Sequence, residues 1–180
     1  MTHAPAPPLV DGDHLDVLVV GAGISGIGAA RYLGVEHPER TYAVVEARDE
    51  VGGTWSLFRY PGVRSDSDLY TFGYEFKPWR DDVSIADGDA ILRYLRETLS
   101  ENDIWRRVHL GHRVLRADWS SETARWRVEV ELTASGRRVA LTASWLLGAT
   151  GYYRYDEPYT PAFAGREQFA GTVVHPQQWP

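Results

Sequence analysis

The sequence predicts an α/β fold in which helices pack on a parallel β-sheet that is extended by an antiparallel three-stranded β-meander. Three observations lead to this prediction. An apolar strand near the N-terminus runs directly into a glycine-rich turn and a helix. A second apolar strand follows that helix, and residues 112–141 alternate between apolar and polar side chains. Apolar runs are typical of strands covered on both faces, whereas alternation is typical of strands with one solvated face.

Length and composition indicate one core and exclude several classes of function. The chain has 180 residues, of which 43% are hydrophobic, and this suffices for one domain around a single sheet. The net charge is -6 without a basic run, so no nucleic-acid partner is expected. The absence of cysteine excludes disulfides and thiolate chemistry and fits a cytoplasmic protein. No stretch approaches the roughly 18 apolar residues of a transmembrane segment, and peripheral membrane association stays open.

A glycine-rich turn follows the first predicted strand. Residues 15–20 are apolar except for Asp16, as a strand buried on both faces requires. The spacing Gly21-x-Gly23-x-x-Gly26 comes next, and residues 24–33 read as a helix. In a dinucleotide-binding turn such glycines permit a tight bend, a close pyrophosphate and close helix packing, and the helix N-terminus favours the phosphates. We therefore predict a nucleotide site, with a purely structural glycine turn as the alternative.

An acidic residue follows the second predicted strand. The strand Tyr42–Val45 is apolar and ends directly before Glu46. A carboxylate at this position binds the ribose hydroxyls of a dinucleotide. Because it would also repel a 2′-phosphate, Glu46 favours FAD or NAD over NADP at this first site. The two strands, the turn and the acid together predict a Rossmann-like dinucleotide-binding domain.

Two later stretches carry further candidate contacts. The run VGGTW at residues 51–55 has adjacent glycines that suit a backbone close to a ligand, and its tryptophan offers a flat apolar surface. A loop with a packed tryptophan is the alternative. In RYPGVRSDSDLY, at residues 59–70, Ser65 and Asp68 resemble a capping box that opens a short helix. Asp66 is then either an acid at the helix start or a group beside a cofactor.

The remaining elements complete the predicted fold. The aromatic residues between 72 and 79 are expected in the core or at a domain contact. A packing helix is expected to end near Ser100, with Asp87 or Asp89 as its N-cap. After the meander, residues 144–147 read as a separate apolar strand that ends in GATG, where small residues suit contact between backbone and ligand. His109 and His112 lack the neighbours that a metal site needs, so no metal is predicted.

The C-terminal residues FAGTVVHPQQWP match the pattern FxGxxxHxxxWP. Together with GAGISG, VGGTW, RYPGVRSDSD and GATGYY in order, this pattern makes residues 13–180 resemble the N-terminal FAD region of type I Baeyer–Villiger flavin-containing monooxygenases. FRYPGVRSDSDLYTFGYEF and YYRYDEPYTPAFAG are most similar to the branch that includes the ethionamide-activating monooxygenase. The resemblance implies a three-layer FAD-binding domain at residues 15–165. Residues 1–14 before it are rich in proline and contain no apolar run, so we expect a flexible arm there. Residues 166–180 would begin a linker toward an NADP-binding domain.

The resemblance also implies roles for individual residues. FAD would be bound by Gly21, Gly23, Ser25, Gly26, Glu46, Gly53, Thr54, Trp55 and, through its backbone, Val114. Arg64 and Ser65 would lie where NADP binds, and Asp66 would be a supporting catalytic residue near the flavin and the nicotinamide. Phe169, Gly171, His175 and Trp179 are the residues of the family fingerprint, and the last three would couple domain movement to catalysis.

The activity that the resemblance implies is oxygenation with FAD, NADPH and O2. A ketone would be converted into an ester or a lactone, and a sulfur-containing substrate would be oxidised. The principal catalytic arginine and the second glycine fingerprint would follow Pro180, so we expect a fragment that does not oxidise NADPH alone. The alternatives are a non-catalytic FAD-binding module or pseudo-enzyme, and an N- or S-oxygenating flavin monooxygenase, against which Trp179 argues.

Overall fold

A computed structural model describes residues 6–180, and residues 1–5 of the predicted N-terminal arm lie outside the described part. Its strands are β1 (His14–Val20), β2 (Tyr42–Val45), β3 (Val108–His109), β4 (His112–Ser120), β5 (Arg125–Leu132) and β6 (Arg137–Gly148). Its α-helices are α1 (Ile24–Glu36), α2 (Thr54–Leu57), α3 (Leu69–Phe72) and α4 (Gly88–Glu101). Short 3-10 helices occur at Ile104–Arg107, Arg166–Gln168 and Pro176–Gln178.

All six strands form one sheet in the order β3-β2-β1-β6-β5-β4. Strands β3, β2, β1 and β6 run parallel to one another, while β5 is antiparallel to both β4 and β6. This arrangement confirms the predicted parallel sheet with an antiparallel three-stranded meander. Within residues 6–180, no helix combines the length and the apolar composition that crossing a membrane requires.

The prediction of a separate strand at residues 144–147 is wrong, because these residues are the end of β6. The first part of β6 pairs with β5 as far as Ala143, and its second part pairs with β1 from Thr142 to Gly148. No turn separates the two parts, because the pairing with β1 on one edge of β6 begins at Thr142, before the pairing with β5 on the other edge ends at Ala143. One strand therefore belongs both to the meander and to the parallel sheet.

The parallel strands are covered on both faces, as the predicted three-layer architecture requires. On one face Val19 and Val44 pack with Ile27 of α1 and with Ile91 and Leu95 of α4. On the other face the core contains the buried side chains Leu9, Leu18, Ala43, Val45, Val128, Val130, Val139, Leu141 and Ala143. The meander thus folds back over the parallel strands, and this second core explains their apolar sequences.

The predicted flexible arm is held against this second core from Leu9 onward, so this part of the prediction is wrong. Leu9 is only 6% exposed. Asp11 accepts a hydrogen bond from the Ala140 backbone N–H at 2.7 Å, and the Gly12 N–H donates to the Ala140 carbonyl oxygen at 2.9 Å. Burial of one leucine together with these bonds orders a segment whose proline content suggested flexibility.

Helix α4 begins as predicted, whereas α3 does not. Asp87 caps α4 by accepting a hydrogen bond from the Ala90 N–H at 2.7 Å. The predicted capping box at Ser65 is wrong, because α3 begins at Leu69 and its cap is Asp68, which accepts from the Thr71 N–H at 2.9 Å. The Ser65 N–H instead donates to the Ala86 carbonyl oxygen at 2.9 Å.

Candidate functional site

A cleft lies where the carboxyl ends of β1, β2 and β6 meet, which is where open α/β sheets bind their ligands. It contains a cavity of about 340 Å3, a volume within the range of ligand pockets. The cavity lining includes these predicted site residues: Gly21, Gly23, Ser25, Glu46, Gly53, Thr54, Trp55 and Val114. The structure therefore brings together residues that lie up to 93 positions apart in the sequence, from Gly21 to Val114.

The glycine-rich turn has the backbone that its sequence predicts. Gly21 has φ of +107°, a conformation that side chains rarely adopt, and a Cβ there would overlap the Ala149 carbonyl oxygen. Gly26 is buried beneath the turn, and a Cβ on it would overlap the carbonyl oxygen of Gly21. Both positions require glycine, so the turn can approach a ligand with bare backbone.

Gly23 and Gly53 form the floor of the cleft. A Cβ on Gly23 would lie 3.6 Å from the Gly53 Cα, so two side-chain-free backbones face each other here. Gly23 is also the N-cap of α1, without a side-chain cap and without an acidic residue in the first turn. The first N–H groups of α1 and the positive end of its dipole can therefore bind an anion. This cradle fits the pyrophosphate of a dinucleotide.

Glu46 links the turn to the second strand from inside the cleft. The residue is 7% exposed, and its carboxylate accepts hydrogen bonds from the Ala22 N–H at 2.9 Å and the Arg48 N–H at 3.0 Å. Each carboxylate oxygen has more than one lone pair, so the acid can also accept from a ligand hydroxyl. The structure places Glu46 on the cavity, while its contact with ribose stays a prediction.

Arg48 and Tyr155 hold the VGGTW loop, and the sequence did not identify either residue as part of the site. Arg48 donates to the Ser56 hydroxyl at 2.8 Å and to Glu50 at 2.7 Å. Tyr155 reaches the loop from the segment after β6, and its hydroxyl hydrogen-bonds the Thr54 side chain. Burial raises the pKa of Tyr155, and the neighbouring charge of Glu46 acts in the same direction. The only sequence signal was the tyrosine-rich run at residues 152–155.

The far end of the cleft is formed by the start of β4. His112 lies there beside Val114, and its Nδ1 is 2.7 Å from the Leu110 carbonyl oxygen, to which it donates. His109 is buried, with its ring centroid 5.4 Å from that of His112. Burial lowers the pKa of His109 to about 4, so this ring is neutral near pH 7. Among residues 6–180 no cluster of His, Cys, Asp and Glu is arranged to hold a metal.

Arg64, Ser65 and Asp66 do not line the cavity. Arg64 and Asp66 are exposed, whereas Ser65 is buried and its hydroxyl donates to the Ser67 carbonyl oxygen at 2.6 Å. Asp66 lies near Tyr153, which lines the cavity. A hydrogen bond to Tyr152 and burial raise the pKa of Tyr153, and the nearby charge of Asp66 raises it further. The proposed contacts of these three residues with NADP therefore stay predictions.

The fingerprint residues of the C-terminal segment lie outside the cavity as well. The Phe169 ring covers Gly171, where a Cβ would overlap it. The His175 Nδ1 accepts from the Gln177 N–H at 3.1 Å, and the Trp179 ring lies 6.4 Å from that of Tyr60. These contacts are local or reach the surface loop at residues 58–62. They leave Phe169 at 61% and Trp179 at 47% exposure.

A second groove, of about 490 Å3, lies between residues 76–81 and α4. Its lining includes Lys77, Arg93 and Glu101, and Lys77 already pairs with Glu101 at 2.6 Å. This groove is larger, but it contains neither the glycine-rich turn nor a strand end. We therefore assign the candidate site to the cleft at Gly21–Gly26.

Comparison with known proteins also indicates a dinucleotide-binding domain. A family model described as an NAD(P)-binding Rossmann-like domain matches residues 19–81. Over 168 residues the chain is 49% identical to the FAD-containing monooxygenase EthA of Mycobacterium tuberculosis. The aligned region covers 93% of this chain and 34% of EthA. The chain is similar to flavin monooxygenases. It spans about a third of the length of these relatives and corresponds to their N-terminal dinucleotide-binding domain.

Solved structures of flavin monooxygenases share the fold. An oxidised steroid monooxygenase bound to NADP matches with a TM-score of 0.75 and 33% sequence identity. The matched region covers 93% of this chain and 31% of the steroid monooxygenase chain. A cyclohexanone-bound structure of cyclohexanone monooxygenase matches with a TM-score of 0.76 and 26% identity. The matched region covers 94% of this chain and 32% of the cyclohexanone monooxygenase chain. These neighbours are Baeyer–Villiger monooxygenases, which confirms the predicted family resemblance.

Proposed function

We propose that the chain binds FAD in the cleft at the ends of β1, β2 and β6. The observation that carries this proposal is the bare backbone cradle of Gly21, Gly23 and Gly53 next to the buried carboxylate of Glu46. The first turn of α1 would bind the pyrophosphate, and Glu46 would accept from the adenosine ribose. Val114 would meet the adenine at the far end of the cleft, while Thr54 and Trp55 would face the flavin.

We further propose that the full-length protein is a Baeyer–Villiger monooxygenase that uses FAD, NADPH and O2. The fingerprint at residues 169–180 and the similarity to a steroid monooxygenase and a cyclohexanone monooxygenase support this activity. Bound FAD would supply the transfer of electrons from NADPH to O2. The substrate class is a ketone that is converted into an ester or a lactone, with oxidation of sulfur compounds as a second activity.

The residues of this chain would contribute binding and positioning to that reaction. Cleft residues would orient the flavin and exclude water from it. Asp66, near Tyr153, would face the junction of flavin and nicotinamide, and Arg64 and Ser65 would meet NADP. Trp179 and His175 would transmit movement between the two nucleotide-binding domains. Because the chain spans about a third of its relatives, we assign turnover to the full-length protein.

The proposal is tested by titrating the purified 180-residue chain with FAD and following the quenching of flavin fluorescence. Saturable binding with one site per chain is expected, and Gly23→Asp, which places a carboxylate where the pyrophosphate would lie, should abolish it. Ala134→Asp is the matched control, because Ala134 is exposed in the surface turn between β5 and β6, outside the cleft. Equal binding by the unmodified chain and Gly23→Asp, or no binding by the unmodified chain, would contradict the assignment.

The monooxygenase part of the proposal has its own test. Full-length protein with FAD is expected to consume NADPH in proportion to the amount of cyclohexanone or thioether that is oxygenated, whereas the 180-residue chain is expected to bind FAD without consuming NADPH. Ketone oxygenation by the 180 residues alone would contradict the division of roles. FAD binding without oxygenation by the full-length protein would instead indicate a non-catalytic flavin protein.

A further inference from the structure

Tyr74 reaches from the aromatic segment at residues 72–79 to the first turn of α1. Its hydroxyl donates a hydrogen bond to the Ile24 carbonyl oxygen at 2.5 Å, and the backbone of Gly28 hydrogen-bonds the same hydroxyl. Ile24 and Gly28 are one helical turn apart, and Ile24 lines the nucleotide cleft. The hydroxyl therefore contacts the end of α1 at which the phosphates would bind.

The tyrosine ring is itself held by its surroundings. It stacks on Phe76, with ring centroids 4.7 Å apart and an angle of 13°, and on Tyr94 at 5.7 Å. The Tyr74 N–H donates to the Tyr94 hydroxyl at 2.8 Å, and that hydroxyl donates to the Lys77 carbonyl oxygen at 2.6 Å. Because Tyr94 belongs to α4, these bonds connect α4 to the first turn of α1.

Gly28 provides the space that the tyrosine ring occupies. A Cβ on Gly28 would lie 2.9 Å from the Tyr74 Cε1, closer than side chains tolerate. Burial raises the pKa of Tyr74, so the hydroxyl is protonated and can donate near neutral pH. Ring, hydroxyl and helix backbone thus form one fitted contact rather than loose packing.

We propose that Tyr74 is a positioning residue that sets the first turn of α1 for binding the pyrophosphate of the dinucleotide. This inference rests on the proposed FAD site. The first-turn N–H groups bind an anion only when they point at it, and a hydrogen bond to the carbonyl of Ile24 fixes the direction of that turn. Tyr74 does not contact the ligand, and it acts through the helix backbone.

The test is Tyr74→Phe, which keeps the ring and removes the hydroxyl. Binding of FAD, measured by fluorescence quenching, is expected to weaken about 5- to 30-fold, since the part-buried Ile24 carbonyl loses the hydroxyl that fixes its direction. The matched control is Tyr42→Phe, because Tyr42 is also buried and its hydroxyl faces Gly34, near the other end of α1, where an added Cβ would lie 3.2 Å away. This control should leave FAD binding unchanged.

A second readout separates positioning from general destabilisation. Displacement measured by ligand-observed NMR should show that Tyr74→Phe weakens binding of ADP, which contains the diphosphate, but not of adenosine. A general loss of structure would weaken both ligands alike and would overturn the inference. Gly28→Ala keeps the hydroxyl but displaces the ring, and it should reproduce the diphosphate-specific loss even if Tyr74→Phe folds poorly.

The outcomes for the two proposals differ. Suppose that the unmodified chain binds FAD and that both variants, Tyr74→Phe and Gly28→Ala, bind FAD equally well. The positioning role is then refuted and the FAD site stands. If the unmodified chain binds neither FAD nor ADP, the FAD site is refuted, and the role of Tyr74 is refuted with it. Selective loss of diphosphate binding in either variant, with Tyr42→Phe unaffected, supports both proposals.

Discussion

The replacement Glu46→Gln tests the central contact of the cleft. The variant keeps the shape of the side chain but replaces one carboxylate oxygen by an NH2 group. In the structure both oxygens accept backbone hydrogen bonds, one from Ala22 and one from Arg48, and Ala22 is fully buried. A glutamine can satisfy only one of these donors, so the other N–H would face a second donor.

The expected loss of stability follows from these contacts. A hydrogen bond to a charged group contributes about 1.5–3 kcal/mol, so losing one should lower the free energy of unfolding by about that amount. For a chain of this size, that change lowers the melting temperature by roughly 3–12 °C. Glu129→Gln is the matched control: Glu129 pairs with Arg138 at 2.9 Å on the surface, where an ion pair contributes about 1 kcal/mol or less.

The assay is urea denaturation of both variants, followed by circular dichroism and analysed with a common slope. The midpoint for Glu46→Gln should fall clearly below that for Glu129→Gln. In a parallel FAD titration, only Glu46→Gln should bind more weakly. If the two variants unfold at the same urea concentration, the carboxylate does not stabilise the turn and the reasoning is wrong.

Three further predictions concern the turn, a helix cap and a buried histidine. Gly26→Ala forces a Cβ onto the Gly21 carbonyl oxygen, so FAD binding should be lost. Gly136→Ala strains the backbone of a surface turn outside the cleft, where φ is +69°, and should retain FAD binding in the same titration. Asp87→Ala should lower the free energy of unfolding by about 0.5–2 kcal/mol in urea, because the Ala90 N–H loses its acceptor, and an unchanged midpoint would contradict this. Burial lowers the pKa of His109 from 6.5 to about 4 in the folded chain, so the unfolded chain binds the proton at a higher pH. The free energy of unfolding should therefore fall as pH drops from 6.5 toward 4, by up to about 3 kcal/mol. His109→Gln should remove this part of the pH dependence, as measured by melting temperature against pH.

Local sequence signals predicted the elements that local interactions determine. The glycine spacing predicted the turn at Gly21, and the apolar runs predicted β1 and β2. The aspartates before an apolar helix predicted a cap at Asp87 or Asp89, and the cap is Asp87. In each case the residues that decide the structure lie within a few positions of each other. Resemblance to a known family added the cleft residues that spacing alone could not assign, such as Val114.

Features that depend on distant partners could not be predicted in this way. Tyr155 belongs to the cleft only because its segment returns over Thr54, and Leu9 is ordered only because the second core accepts it. Ser65 has the sequence of a helix cap, but its N–H donates to the Ala86 carbonyl oxygen and the helix begins at Leu69. These tertiary contacts override local preferences, and no pattern in the neighbouring residues reports them.

The double membership of β6 bears on the order in which the chain folds. Strand β1 is flanked by β2, which follows soon in sequence, and by β6, which joins it through pairs such as His14 with Thr142, 128 positions apart. Closing so long a loop is slow compared with forming helices or hairpins. During synthesis, one edge of β1 would stay unpaired until β6 has left the ribosome. We therefore expect the meander to form first as a local unit and the cleft to be completed late, when β6 docks beside β1.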